Sequence, residues 1–248
     1  MLVSATSVSK KEVRGGLFAT THWSVVLAAS QSGASTYPEA LEQLCKTYWL
    51  PVYAYIRRSG RGPGEAEDLT QEFFARLLAK EWLDGIERAG GRFRSFLLTA
   101  VNRFLANEYD RATAARRGGN VVPLQIEEAE HMLQDGATAQ TSPDLSYDRQ
   151  WALAVMDRAM ATLRQEAQRN EKLRQFELFS PFLSREPAEG EYATIAAMEE
   201  LTSAGVGVAV FRLRRRYREI VRTVIVDTVG KEEDVDEELR YLIEMLRR

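Results

Sequence analysis

Arginine is concentrated in two short stretches of a chain that otherwise carries an excess of acid. Seven arginines against three acidic residues lie between positions 85 and 119, and six arginines against one glutamate lie between 212 and 222. The whole chain has a formal net charge of −3. Clustered guanidinium groups are common partners of nucleic-acid phosphates. One such arginine-rich stretch, here called an island, is typical of a solvated helix face. Only the two islands together predict binding to a polyanion.

Residue types that build metal sites or nucleophilic centres are scarce. Cys45 is the only cysteine, which excludes an internal disulfide and a cysteine-built metal site. It lies among apolar residues at helical spacing, so we expect a core residue rather than a nucleophile. The two histidines, His22 and His131, are far apart in sequence. No catalytic triad pattern and no glycine-rich phosphate loop is recognisable. The sequence predicts a protein that is not an enzyme and has no metal or cofactor.

The segment FRSFLLTAVNRFLANEYDRATAARR (93–117) interleaves aromatic, asparagine and arginine residues. Stacking of an unpaired base on an aromatic ring contributes about 1–3 kcal/mol. The amide of Asn107 can read a base edge, and arginines neutralise backbone phosphates. Phenylalanines at helical spacing also form cores, so we expect at least two of Phe93, Phe96 and Phe104 to be buried. The better candidates for DNA contacts are Arg103, Arg111, Arg116 and Arg117.

Apolar residues recur at spacings of three and four nearly everywhere, which predicts an all-α chain made of two small helical domains joined by a flexible linker. Pro51 is expected to kink or divide its helix. No stretch reaches the roughly 18 apolar residues of a membrane span, and the N-terminus lacks a signal-peptide core, so a cytoplasmic protein is expected. The predicted segments are a disordered tail (1–20), a first domain (21–118), a linker (119–146), a second domain (147–229) and an amphipathic helix (230–248).

The segment ATIAAMEELTSAGVGVAVFRLRRRYREIVR (193–222) has the rhythm of a helix, a tight turn and a second helix. Thr202 or Ser203 is expected to cap the second helix. Its predicted buried face consists of Val206, Val210, Leu213 and Tyr217. Its predicted outward face consists of Gly207, Val208, Phe211, Arg212, Arg215 and Arg216. After the segment, the last helix should pack through Val235, Leu239, Leu242 and Leu246 on this protein or on a regulator.

An acidic-then-amphipathic helix, EAEDLTQEFFARLL (65–78), precedes the aromatic and arginine segment. This pairing resembles conserved region two of the sigma-70 family, specifically the small extracytoplasmic-function group of bacterial transcription initiation factors. The helix-turn-helix pattern is similar to region four of the same family. The resemblance covers roughly residues 20–229 and includes the linker. It implies two partners: core RNA polymerase, through the clamp helices and flap, and promoter DNA. Nothing in the sequence determines the oligomeric state, and we expect a monomer when the protein is free of polymerase.

The resemblance implies roles for individual residues. Those facing the clamp helices of the largest polymerase subunit would be Glu65, Glu67, Asp68, Gln71 and Phe74. Those at the minus-ten element would be Asn102, Arg103, Asn107, Arg111, Arg116 and Arg117, with Phe93 and Phe96 also directed towards melted DNA. Those at the minus-thirty-five element would be Thr202, Ser203, Val208, Phe211, Arg212, Arg215 and Arg216.

The chain departs from the family pattern in the helix-turn-helix. The family usually has an apolar residue and a glycine where this chain has Glu199 and Glu200. It usually has basic or histidine side chains where this chain has Gly207 and Phe211. Gly205 leaves a further position of the same helix without a side chain. We therefore expect arginine contacts with the backbone to dominate, with weak specificity or an unusual upstream element. Two alternatives stay open: a factor whose second module is degenerate, and a sigma-like adaptor or decoy. Control by an anti-sigma factor, a kinase or the C-terminal extension is also open.

Overall fold

The computed structural model describes residues 37–78, 92–115, 142–229 and 232–247. Apart from one isolated bridge between Arg92 and Val229, the regular structure in these ranges is helical, which confirms the predicted all-α class. The predicted tail, most of the predicted linker, Arg116 and Arg117 lie outside the described residues. The helices are α1 (Tyr37–Arg58), α2 (Pro63–Leu78), α3 (Phe93–Ala115), α4 (Pro143–Arg169), α5 (Leu173–Phe179), a 3₁₀ turn (Ser180–Leu183), α6 (Glu191–Met198), α7 (Ser203–Val226) and α8 (Glu232–Arg247).

Local signals explain where several helices begin. The Ser142 hydroxyl accepts a hydrogen bond from the Leu145 amide at 3.2 Å, and Pro143 follows in the first turn of α4, where a missing N–H costs nothing. Pro63 opens α2 in the same way. Pro51, in contrast, lies inside α1, which continues through it. The helix is therefore not divided at Pro51, and the predicted kink there stays a prediction.

The main hydrophobic core draws on both predicted domains. α1 packs against α2 and, more extensively, against α4, which in turn contacts α7 and α8. At the centre, the Trp151 indole donates a hydrogen bond to the Tyr48 hydroxyl at 3.0 Å, and the Tyr48 ring meets Phe93 edge-on at 4.9 Å. α3 joins this core through Phe93 and Phe104, both fully buried. The predicted division into two domains stays a prediction, but the first helix of the second unit is built into the core of the first.

A smaller core fixes the helix-turn-helix region. It consists of Phe179, Phe182, Ile195, Ala196, Val206 and Val210. These side chains hold α5, the 3₁₀ turn and α6 against the N-terminal half of α7. The predicted buried face of α7 is confirmed at Val206 and Val210, which are almost inaccessible, while Leu213 and Tyr217 are half-buried.

The C-terminal helix packs on the rest of this protein. Val235 and Leu242 are buried and Leu239 is half-buried, as the apolar stripe predicts. The stripe then shifts by one residue: Met245 is buried, whereas Leu246 is 41% exposed. None of the described helices is by itself long and apolar enough to cross a membrane, and only the bent pair α6 and α7 passes such a test by length and composition.

Candidate nucleic-acid interface

α6 and α7 have the geometry of a helix-turn-helix. Residues 199–202 join them, and the two helices are bent by 97°. DNA-binding motifs of this type place two helices at about 90–120° across a turn of about three or four residues. The Thr202 hydroxyl accepts a hydrogen bond from the Gly205 amide at 3.0 Å, which confirms the predicted N-cap. The second helix therefore begins at a capped N-terminus, the end that contacts base edges in motifs of this type.

The turn accommodates two glutamates in different ways. Glu200 has φ of 55°, the left-handed conformation that normally favours glycine, and the Leu201 amide donates to the Ala196 carbonyl at 2.9 Å. Glycine adopts this conformation without a steric penalty, so Glu200 is strained at the position where the family usually has glycine. Glu199 points inward with a side chain only 9% exposed, and Arg174 Nε lies 2.9 Å from its Oε1 without hydrogen-bond geometry. Only one turn carboxylate is therefore exposed near the interface.

The outward face of α7 is apolar near its start and cationic further along. Val208 and Phe211 are 49% and 62% exposed, and Arg212 and Arg215 follow on the same side. Gly207 does not belong to this face, although the sequence placed it there. A Cβ at Gly207 would lie 3.6 Å from the Tyr192 ring of α6. This glycine is therefore at the contact between the two helices.

Several arginines of the second island are already paired within the protein. Arg214 donates to the carbonyls of Phe182 and Arg185, and Arg222 pairs with Asp236 at 2.6 Å. Arg216 pairs with Glu166 at 2.6 Å and with Glu219 at 3.2 Å.

The hydrogen bonds from Arg216 hold the pKa of Glu166 below its usual value. Arg215 also contacts Glu219, but its side chain is 73% exposed. The side chain of Arg212 is exposed and forms no ion pair with the described residues. Arg212 and Arg215 are therefore the best placed to meet phosphate, while the charge of Arg216 is largely compensated.

The surface of α2 that the family resemblance assigns to polymerase is mostly polar. Glu65, Asp68 and Gln71 are exposed, and Glu67 is half-buried and accepts a hydrogen bond from Gln71 at 3.0 Å. Phe74 is only 7% exposed and packs beside Phe73, so its ring is not on the surface in this conformation, and its polymerase contact stays a prediction. In this conformation the candidate docking surface therefore consists of the four polar residues.

The phenylalanines of α3 belong to the core. Phe93, Phe96 and Phe104 are at most 4% exposed, which confirms that at least two are buried. None of these three rings is placed to stack on a base in this conformation. This corrects the expectation that Phe93 and Phe96 are directed towards melted DNA.

The polar positions of α3 are more accessible. Asn102 is exposed and accepts a hydrogen bond from the Tyr55 hydroxyl. The exposed side chains of Arg103 and Asn107 form no hydrogen bond or ion pair with the described residues, and exposed Arg111 pairs with Glu108 at 2.7 Å.

Sequence reasoning missed Tyr109, whose side chain is 59% exposed. It follows Asn102 by seven residues, so both lie on one stripe of α3. The ring is thus the accessible aromatic group near the predicted DNA contacts on the described part of this helix. The signal that could have indicated its exposure is the polarity of its side chain. A tyrosine can keep its hydroxyl in water, whereas a phenylalanine at helical spacing favours the core.

The start of α3 is anchored by a buried ion cluster, which no sequence pattern indicated. Arg94 donates to Asp148 at 2.6 Å and to Glu238 at 2.9 Å, and its guanidinium lies 4.2 Å from the ring centroid of Tyr241. Burial alone would lower the pKa of Arg94, but Glu238 and Asp148 raise it overall. Burial, together with the hydrogen bond to Asp148, raises the pKa of Tyr241 to about 12.

Arg92, two positions before Arg94, adds further contacts to this cluster. Arg92 pairs with Asp234 at 3.2 Å and with Glu237 at 2.6 Å, and the Phe93 amide donates to the Thr228 carbonyl. The first turn of α3 is therefore attached both to α8 and to the segment that follows α7.

Comparison with protein-family models, curated proteins and solved structures finds no match to this chain. Within the described ranges, no group of histidine, cysteine and acidic side chains could hold a metal ion. The arrangement can bind phosphate through exposed arginines, contact bases through an exposed asparagine and tyrosine, and insert the face of α7 into a groove.

Proposed function

We propose that this chain is a dissociable RNA polymerase sigma factor of the extracytoplasmic-function type. It binds core polymerase, recognises promoter DNA and promotes its melting. The observation that carries the proposal is the helix-turn-helix formed by α6 and α7, with its 97° bend, its capped second helix and exposed Arg212 and Arg215 on the outward face. Phosphate contacts of this kind position a reading helix on the duplex.

The pairing of α2 with α3 supports the same function. The exposed acidic start of α2 offers Glu65 and Asp68 to a basic partner surface, in agreement with the polymerase contact implied by the resemblance. On α3, Arg103, Asn107 and Tyr109 are exposed together. Melting requires unstacking of bases, which costs a few kcal/mol per step, and capture of a base on an aromatic ring offsets part of that cost.

The proposal is tested by run-off transcription with core polymerase from a related bacterium. We expect a promoter-dependent transcript only when the full chain is added. Tyr109→Ala should reduce promoter opening about tenfold, as expected for the loss of one base-stacking contact, and leave core binding unchanged. Tyr109→Phe, which keeps the ring, is the matched control. Opening is followed by the reactivity of unpaired thymines to permanganate.

A sigma-like adaptor or decoy is the second candidate, and two observations favour it. Phe93 and Phe96 are buried, and Arg216 is neutralised by Glu166 and Glu219. An adaptor would dock on polymerase through α2 without opening DNA. Stable binding to core polymerase with no promoter-dependent transcript would therefore overturn the sigma-factor proposal and support the adaptor.

A further inference from the structure

Two apolar side chains occupy the part of α7 that enters a groove when a helix-turn-helix binds DNA. Val208 is 49% exposed and Phe211 is 62% exposed, while Val206 and Val210 on the other side of the helix are buried. Exposure of a valine and a phenylalanine one turn apart gives up burial that would stabilise the fold. This face therefore differs in kind from the buried side of the same helix.

The charges around these residues favour a nucleic acid over a protein as the occupant. Arg212 and Arg215 lie on the same side of α7 as Phe211, and both are exposed. Arg212 forms no ion pair within the described ranges. Exposed contiguous apolar patches larger than several hundred Å² mark protein interfaces, and two side chains form a smaller patch. Two apolar side chains next to exposed cations match the edge of a base pair flanked by phosphates.

The chemistry of the major groove then narrows the choice of base. Base edges there present hydrogen-bond donors and acceptors and one apolar group, the 5-methyl of thymine. Neither Val208 nor Phe211 can form a hydrogen bond through its side chain, so against a polar edge each would remove water without replacing it. Residues three apart on a helix are separated by about 4.5 Å along its axis, which is near the step of about 3.4 Å between base pairs.

We propose that Val208 and Phe211 recognise the 5-methyl groups of thymines at neighbouring base pairs of the upstream promoter element. The inference rests on the proposed function and deepens it. Arg212 and Arg215 hold the backbone and carry no sequence information, whereas the two apolar side chains supply the specificity. The upstream element of this factor is therefore defined by thymines. A helix with arginine or histidine at these positions would select other bases.

The experiment uses the full chain bound to core polymerase. Duplexes that are randomised upstream and constant downstream are selected for binding, and the enriched positions are then synthesised with either thymine or uracil. Uracil lacks only the methyl group. Loss of each contacted methyl should weaken binding about fourfold.

Two variants assign the contacts to residues. Val208→Ala and Phe211→Ala should each abolish the sensitivity to uracil at one position. Ile243→Ala, at an apolar side chain on α8 that is 47% exposed, is the control and should keep full sensitivity. All three positions are exposed, and circular dichroism checks that the variants fold.

The outcomes separate this inference from the proposed function. Equal affinity for thymine and uracil duplexes, with binding still dependent on Arg212 and Arg215, would overturn thymine recognition and leave the sigma factor intact. Weaker core polymerase binding by Phe211→Ala, without a change in thymine sensitivity, would make the face a protein contact and would also overturn it. Absence of any enriched duplex and of any transcript would overturn both.

Discussion

Arg216 illustrates how little the count of arginines says about the charge that a helix offers to DNA. Its guanidinium bridges Glu166 of α4 and Glu219 of its own helix, and its hydrogen bonds lower the pKa of Glu166. Above the ordinary pKa of a glutamate this pair is fully ionised, and its stabilising contribution is lost as the pH falls through the lowered pKa. At neutral pH, Glu166 therefore competes with phosphate for Arg216.

Glu166→Gln should leave Arg216 paired only with Glu219 of its own helix, and therefore more available for contact with DNA. We expect tighter binding to a duplex of arbitrary sequence and a salt-dependence slope steeper by about 0.9, the value for one added phosphate contact. Fluorescence anisotropy over a salt series measures both quantities.

Glu177→Gln is the matched control, since it removes the Arg164–Glu177 pair, which lies at 3.1 Å between two exposed side chains. An equal change in slope for the two variants would mean that net charge, rather than release of Arg216, causes the effect.

The turn between α6 and α7 places a strained residue next to the candidate interface. Glu200 has φ of 55°, and Glu171, which follows α4, has φ of 57° with the same pattern, its neighbour Lys172 donating back to Ala167. Both glutamates occupy a position that closes a helix and that glycine fills without strain.

Replacement of either glutamate by glycine should therefore stabilise the fold. We expect Glu200→Gly and Glu171→Gly each to raise the free energy of unfolding by about 1 kcal/mol. Gln165→Gly, within α4, should lower it by about 1 kcal/mol. Urea unfolding followed by circular dichroism gives these values, and a destabilised Glu200→Gly variant would show that the Glu200 side chain stabilises the turn.

The ion cluster around Arg94 attaches distant parts of the chain to one another. Glu238 is 1% exposed and lies 144 positions from Arg94 in sequence, while Asp148 contributes from α4. Removal of one partner from a buried ion pair costs about 3–5 kcal/mol, because the remaining charge stays buried. The cluster therefore makes α8 a structural part of this protein rather than an appendage.

Glu238→Gln should accordingly lower the free energy of unfolding by about 3 kcal/mol. Glu237→Gln removes a carboxylate that pairs with Arg92 but is 60% exposed, so its cost should stay under about 1 kcal/mol. Deletion of residues 231–248 should cost more than Glu238→Gln, since Val235, Leu242 and Met245 are lost as well. Equal stability of the deleted and full chains would contradict a structural role for α8.

Much of the local structure could be predicted, because it depends on neighbours in sequence. The cap at Thr202 and the burial of Val206 and Val210 follow from hydroxyl chemistry and helical spacing. The burial of Phe74 could not be predicted, since it depends on which side of α2 the other helices cover.

The ion pairs could not be predicted from the sequence for a related reason. Arg94, Glu238, Arg216 and Glu166 read individually as solvated charges, and only the tertiary fold brings them together. The exposure of Tyr109 likewise depends on which side of α3 the core covers.

α7 is a single uninterrupted helix, and its length sets a fixed distance within the molecule. Its 24 residues form a rod about 36 Å long, with the candidate reading face at one end and the attachment to the start of α3 at the other. α3, with 23 residues, adds at most about 34 Å. Promoter elements named for positions ten and thirty-five lie about 85 Å apart on straight B-DNA. Laid end to end, α3 and α7 span about 70 Å, so under the proposed function these two helices alone cannot reach from one element to the other.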